Sequence, residues 1–375
     1  MRGVVYDGEH LMVTDRLEVT EPTHDQVVVR IGAAGVCHSD ISMINGTVGS
    51  MIPAPFVLGH EGAGVVEAVG SQVTTVKVGD HVVLTTIDNC GRCAVCVTGH
   101  PTLCQNSKLA QVMARAARSN QPTSYDELPA YFRLDGKPIA GMANTGVFAE
   151  RVVVSEGQAI AIDKSVPFTS ACLIGCALLT GAGAVFNRAH VYRGDSVAVI
   201  GVGGIGISCI QAARIAGATK IIAVDALASK ESMARQFGAT HFVNARETDA
   251  TAAVVELTGG GVDYSFECVG AQVTMTAAID MLGPGGSTVI LGVGGRDLAV
   301  PLAPFKLYQN KSILGCRYGA ARAADDIPAL VDLYLQGRLL LDEMVSAVYP
   351  LEDVRRAFDD LEAGKLARGV LTLEK

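Results

Sequence analysis

Gly201, Gly203 and Gly206 form a G-x-G-x-x-G motif whose place in the chain limits the fold more than any other feature. The motif follows an apolar, β-branched run at 197–200 and opens a segment at 205–216 with helical spacing. In that strand–turn–helix context the first glycine allows a tight turn, the second lets the backbone approach a pyrophosphate, and the third permits close packing of helix on strand. The helix N-terminus adds unpaired N–H groups and the positive end of a dipole. Asp225 lies 19 residues beyond Gly206, at the end of the next β-branched run. A carboxylate there accepts hydrogen bonds from an adenosine ribose and repels a 2'-phosphate, so the spacing predicts NAD rather than NADP.

The rest of the chain supplies the architecture around this motif. Runs at 197–200, 221–224, 241–243, 262–266, 288–291 and 312–314 make six candidate strands, most of them separated by helix-length segments such as 229–237. That alternation implies an α/β unit with a parallel, doubly wound sheet. The first 150 residues are instead dense in Val, Thr and Gly, with turn signals between short runs such as 27–30 and 65–69, and predict a mostly β domain. Helical periodicity returns after Arg317, at 327–335 and 351–361, before a short terminal strand at 369–373. A length of 375 residues also points to two domains rather than one core. Residues 105–144 show no clear period and read as an excursion over the surface.

Hydrophobic residues at 49% against 18% charged permit a large core and a subunit interface. The net charge of -8, without a Lys/Arg cluster, disfavours nucleic acid or an anionic membrane as partner. The most apolar stretches, 171–186 and 197–217, are interrupted by glycines and bounded by charges, so they read as core elements rather than membrane spans. The first residues carry Asp7 and no uninterrupted apolar run, so no secretory signal is read there and a reducing cytoplasm is expected.

In such a compartment Cys90, Cys93, Cys96 and Cys104, spaced C-x2-C-x2-C-x7-C, read as metal ligands rather than disulfides. Four thiolates saturate Zn2+ at about 2.3 Å each and leave no position for a substrate, so this site is structural. Other candidate ligands are scattered: Cys37 and His38 before Ser39 and Asp40, His60 beside Glu61, and Cys176. A single buried Cys is more often a small hydrophobe, and Cys172, Cys209, Cys268 and Cys316 are assigned to packing. His10, His24, His81, His100, His190 and His241 are likewise taken as structural or solvated. Spacing alone does not bring Cys37, His60 and Cys176 together.

Taken together, residues 35–40, the Gly59-His60-Glu61-Gly62-Ala63 signature, the four-cysteine lobe, Gly175-Cys176, the glycine fingerprint and Arg368 resemble the zinc-dependent medium-chain alcohol dehydrogenases over essentially the whole chain. The resemblance implies a GroES-like catalytic domain at 1–177 and 319–375 holding two Zn2+, and a Rossmann NAD-binding domain at 178–318. It implies Cys37, His60 and Cys176 as ligands of a catalytic zinc with one open position, a set suited to Lewis-acid catalysis of hydride transfer. Ser39 would pass the proton outward, Asp40 would orient His60, and Glu61 would approach the metal transiently. Thr180 and Ile205 would lie by the nicotinamide, Lys230 would assist Asp225 at the ribose, and His38 and Arg368 would face the pyrophosphate. Relatives form dimers or tetramers, so a homo-oligomer acting on a small alcohol or aldehyde is expected.

Departures from the family pattern shape the substrate expectation. Ser42 stands where many relatives carry a His that completes the proton relay, which would then end in water or His38. The subfamily nearest by length, and by the His after Cys37, is the thiol-dependent formaldehyde dehydrogenases. Their loop before Gly-His-Glu carries acids that hold glutathione; residues 46–55 here contain none, which argues against that thiol. Lys108 aligns with an Arg that grips the thiol's carboxylate in that subfamily. Val48, Met51, Ile52 and Met142, with small Thr86, instead predict a roomy pocket for a hydrophobic primary alcohol, benzylic or long-chain aliphatic.

Overall fold

The computed structural model describes residues 1–47, 52–118, 128–295 and 297–373, and divides into two compact units, Met1–Cys176 with Arg322–Lys375, and Ala177–Ala321.

In the first unit, the long strand Gln26–Val36 sits inside a seven-stranded sheet. Its alternate residues Val27, Val29 and Ile31 are buried in a core shared with Val66, Val152 and Leu371. Each such aliphatic side chain contributes about 1.5–3 kcal/mol on burial. Strand Glu61–Val69 pairs antiparallel on one side, with Gly35 opposite Glu61. On the other side strand Arg368–Thr372 pairs antiparallel, with Gly369 opposite Val36. The two registers bring Cys37 and His60, each just outside a strand end, and Arg368, the first residue of its strand, to one corner of the sheet.

That corner is closed by the helix Phe168–Ala189, which is long and apolar enough to cross a membrane yet 89% buried over its most apolar window. Its turn Ile174–Leu178 is a π-helix. A side chain on Gly175 would lie 3.2 Å from Val83 Cγ1, so the missing side chain lets this turn press against the sheet and puts Cys176 at the same corner.

Residues 105–144, expected to lack regular structure, hold the helix Lys108–Arg118 and the hairpin strands Phe132–Leu134 and Lys137–Gly141. The hairpin turns through Asp135 and Gly136, both at positive φ (52° and 76°), the two-residue turn that an Asp-Gly pair favours.

The second unit carries a six-stranded parallel sheet in the spatial order His241–Asn244, Lys220–Asp225, Ser196–Ile200, Val262–Glu267, Leu282–Ile290, Ser312–Gly315. Chain order along it is 3-2-1-4-5-6, the doubly wound arrangement with its switch point beside Ser196–Ile200. All six expected strands are present.

Candidate active site and metal centres

Two clusters of metal-ligating side chains form among the described residues, both in the first unit. One is the four-cysteine lobe. Sulfur separations are 3.4 Å for Cys93–Cys96, 3.6 Å for Cys104–Cys90 and 3.9 Å for Cys93–Cys104. A tetrahedron with Zn–S bonds of about 2.3 Å puts its sulfurs about 3.8 Å apart, so the spacing fits Zn2+. Deprotonation of the thiols, which metal binding requires, is eased at one ligand and opposed at another. Backbone N–H groups of Arg92 and Cys93 pull the Cys90 thiol down to about 6, while burial and its thiol neighbours push Cys96 up to about 12.

The other cluster joins Cys37, His60, Glu61 and Cys176, whose ligand atoms all lie within 4.8 Å of one another and which are all buried. Asp40, fully buried, accepts from the Cys37 backbone N–H at 2.9 Å through Oδ2 and stands 3.1 Å from His60 Nδ1 through Oδ1. A carboxylate on Nδ1 holds that nitrogen protonated and leaves Nε2 to a metal. Burial disfavours the His60 imidazolium, but Asp40 and Cys37 outweigh it and raise the pKa well above the ordinary value. Between the two thiols, the hydrogen bond from Cys176 favours a thiolate on Cys37 and drives the Cys176 thiol upward.

Glu61 is fully buried, and burial pushes its carboxyl up to about 8 against the pull of Arg368. Arg368 Nη2 lies 3.2 Å from Glu61 Oε1, without hydrogen-bond geometry, and neither Glu61 oxygen has a hydrogen-bond donor among the described residues. Two thiols, an imidazole and an orphaned carboxylate make a borderline-soft donor set that fits Zn2+ and suits hard cations such as Mg2+ poorly. A zinc held here polarises an alcohol or carbonyl oxygen.

In the second unit the fingerprint has the form its sequence implies. Gly201 adopts φ +93° and donates to Val224 O at 2.8 Å, and nothing lies within 4 Å of a side chain added at Gly203. That open space faces the start of helix Gly204–Ala216. Asp225 takes Val202 N–H at 2.8 Å on one oxygen and Leu227 N–H at 2.9 Å on the other, which fixes the carboxylate at the strand tip. Lys230 is buried, which lowers its pKa against the attraction of Asp225.

A family model described as "Alcohol dehydrogenase GroES-like domain" matches residues 23–164, and one described as "Zinc-binding dehydrogenase" matches 204–336. A curated S-(hydroxymethyl)glutathione dehydrogenase of Saccharomyces cerevisiae is 35% identical, with 98% of this chain and 95% of that protein covered. The chain belongs to the zinc-dependent medium-chain alcohol dehydrogenases. Among solved structures, an alcohol dehydrogenase zinc-binding domain protein from Burkholderia ambifaria matches this dehydrogenase with TM-score 0.90 and 36% identity, over 100% of this chain and 99% of that one. Benzyl alcohol dehydrogenase from Acinetobacter calcoaceticus matches with TM-score 0.88 and 31% identity, again over 100% and 99%. Membership makes this dehydrogenase an oxidoreductase of CH–OH donors, with NAD and two Zn2+, one catalytic and one structural, as its cofactors.

Several residues stand differently from their expected settings. Arg368, expected at a pyrophosphate, is 3% exposed and packed against Glu61, with Nη1 3.5 Å from Val36 O. Ile52 and Met142 belong to the hydrophobic core of the first unit, and Thr86 is buried; Val48 and Met51 lie outside the described residues. Ser39 and His38 are exposed on the short helix His38–Ile44, with Ser39 Oγ 3.7 Å from Cys37 Sγ. Thr180 is buried and Ile205 half-buried. Sequence reasoning passed over Glu267, a fully buried acid. The available signal was a lone charge closing the apolar end of a strand, where an unpaired carboxylate is costly.

Proposed function

We propose that this dehydrogenase oxidises the S-hydroxymethyl adduct of formaldehyde with a low-molecular-weight thiol, R–S–CH2OH + NAD+ → R–S–CHO + NADH + H+. The observation that carries this reading is the end-to-end similarity to the yeast S-(hydroxymethyl)glutathione dehydrogenase. It displaces the hydrophobic alcohol as the leading substrate. The missing acids in 46–55 still argue that the thiol is not glutathione, while Lys108, exposed at the start of its helix, offers a positive charge to a thiol's carboxylate.

The chain's residues divide the work. Cys37, His60 and Cys176 hold the metal, which when bound supplies Lewis acidity to the substrate oxygen. Asp40 fixes the His60 ring, and Glu61, neutralised by Arg368, supplies a carboxylate that can approach the metal. Ser39 takes up the hydroxyl proton and passes it toward solvent by way of His38 or water, since Ser42 cannot act as a base. A pH–rate profile that His38→Gln leaves unmoved would assign that step to water alone. Gly201, Gly203 and Gly206 cradle the pyrophosphate and Asp225 with Lys230 binds the ribose. Thr180 and Ile205 lie by the nicotinamide, while Arg368 stays packed on Glu61. In this reading the catalytic domain is 1–177 with 319–375, and the NAD-binding domain is 178–318.

A second reading, a benzylic or long-chain alcohol as substrate, draws on the match to benzyl alcohol dehydrogenase. NADH formation separates the two. Formaldehyde oxidised only with an added thiol supports the adduct; turnover of benzyl alcohol without thiol, and no thiol effect on formaldehyde, refutes it. A cytoplasmic homodimer or homotetramer is the proposed assembly. Phe305 (82% exposed) and Tyr308 (79%), stacked 5.6 Å apart shortly before the sheet's last strand, support a subunit contact, which sedimentation tests.

A further inference from the structure

Glu267 closes strand Val262–Glu267 with its side chain fully buried. One oxygen, Oε1, accepts three hydrogen bonds: from Val269 N–H at 3.0 Å, Gly270 N–H at 2.9 Å and Thr274 Oγ1 at 2.7 Å. The other, Oε2, has no hydrogen-bond partner among the described residues, and a side chain added at Gly292 would come within 2.7 Å of it. The Glu267 carbonyl meanwhile accepts from Leu291 N–H at 2.8 Å and Gly292 N–H at 2.9 Å. One residue thus ties together the crossings that leave two neighbouring strands, and those crossings pack backbone against backbone, with a Cβ at Gly270 falling 2.9 Å from Val293 O. The first crossing also reaches the fingerprint, since Val269 Cγ2 would be 2.7 Å from a Cβ at Gly201.

The sheet order gives this stitch a use. Lys220–Asp225, with the ribose-binding acid, lies on one side of Ser196–Ile200, and Val262–Glu267 and Leu282–Ile290 lie on the other. A dinucleotide laid across the carboxyl ends of a doubly wound sheet puts its adenosine half on the first side and its second nucleotide over the other. We propose that Glu267 is a positioning residue for the nicotinamide ring of NAD, holding residues 268–270 and 291–293 as a preformed floor for it, an inference that rests on the cofactor assignment above. The adenosine half does not depend on it.

The test compares the affinities of the zinc-loaded protein for NADH and for ADP-ribose, which lacks the nicotinamide, by fluorescence and calorimetric titration. Glu267→Leu leaves two N–H groups and a hydroxyl without their acceptor. It should raise the NADH-to-ADP-ribose Kd ratio about tenfold or more, while ADP-ribose affinity holds within about twofold. Glu267→Gln keeps the Oε1 acceptor and should restore the ratio to within about threefold of wild type. If Glu267→Leu does not fold, Thr274→Val carries the test with a rise of about threefold. An unchanged ratio, or equal weakening of both ligands, overturns the positioning role. Wild-type protein that binds neither ligand overturns the cofactor assignment instead.

Discussion

Asp40→Asn tests the metal centre where its geometry is most demanding. The carboxylate serves two ligands at once, His60 through its ring and Cys37 through its backbone N–H, from a fully buried position. Asparagine has one acceptor. If its oxygen stays on the Cys37 N–H, its amide donates to His60 Nδ1 and the ring proton moves to Nε2, the nitrogen meant for zinc. If the oxygen stays on His60, two donors face each other at Cys37, which costs about 1–3 kcal/mol. Either arrangement predicts a loss of about 10- to 100-fold in affinity for the catalytic zinc, or about 1.4–2.7 kcal/mol. Competition with a chromophoric chelator should resolve two classes of zinc, and the four-cysteine lobe serves as an internal standard that the substitution does not touch. Catalytic zinc released at the wild-type chelator concentration, or both classes shifting together, would refute the assignment of Asp40 as the group that orients His60.

The same cluster sets a pH dependence in metal-free protein. His60 has a raised pKa, so its contribution to stability is fully present below the unfolded value of about 6.5 and is lost as pH rises through the folded value. Thermal melts of zinc-stripped protein should fall as pH increases above that point, and zinc uptake should release protons and tighten with pH; a flat melting profile contradicts this. Cys104→Ser removes a buried ligand of the lobe and should lower the melting temperature by several degrees, about 2–4 °C per kcal/mol lost, while NADH affinity is unchanged. Asp225→Ala removes the charge that repels a 2'-phosphate and should raise the NADP-to-NAD ratio of kcat/KM by about tenfold or more, read by steady-state kinetics with both cofactors.

The dinucleotide unit was legible because most of its strands are short apolar runs rich in β-branched residues, such as 197–200 or 221–224, closed by glycine or an acid. The catalytic cluster was legible only through resemblance. Cys37 and His60 meet because Gly35 pairs with Glu61 across 26 residues of chain, a register that no local pattern encodes. The helix Lys108–Arg118 was missed although Leu109, Val112, Met113 and Ala116 recur at helical spacing, since four of its eleven residues are alanines that dilute the period. The Asp135-Gly136 turn was missed too, because the strands on either side are only three and five residues long. The Glu61–Arg368 pair joins residues 307 positions apart, and the burial that gives it meaning is a property of the finished sheet.

The placement of strand Arg368–Thr372 between Gln26–Val36 and Val345–Pro350 also orders events at the ribosome. The Rossmann sheet is complete once residue 315 has emerged, whereas the first unit waits for the final strand to close its sheet. Until then Glu61 lacks the Arg368 counter-charge, and the strand edge beside Cys37 stays open to misassembly. The nucleotide-binding sheet is therefore complete during synthesis before the sheet that frames Cys37 and His60.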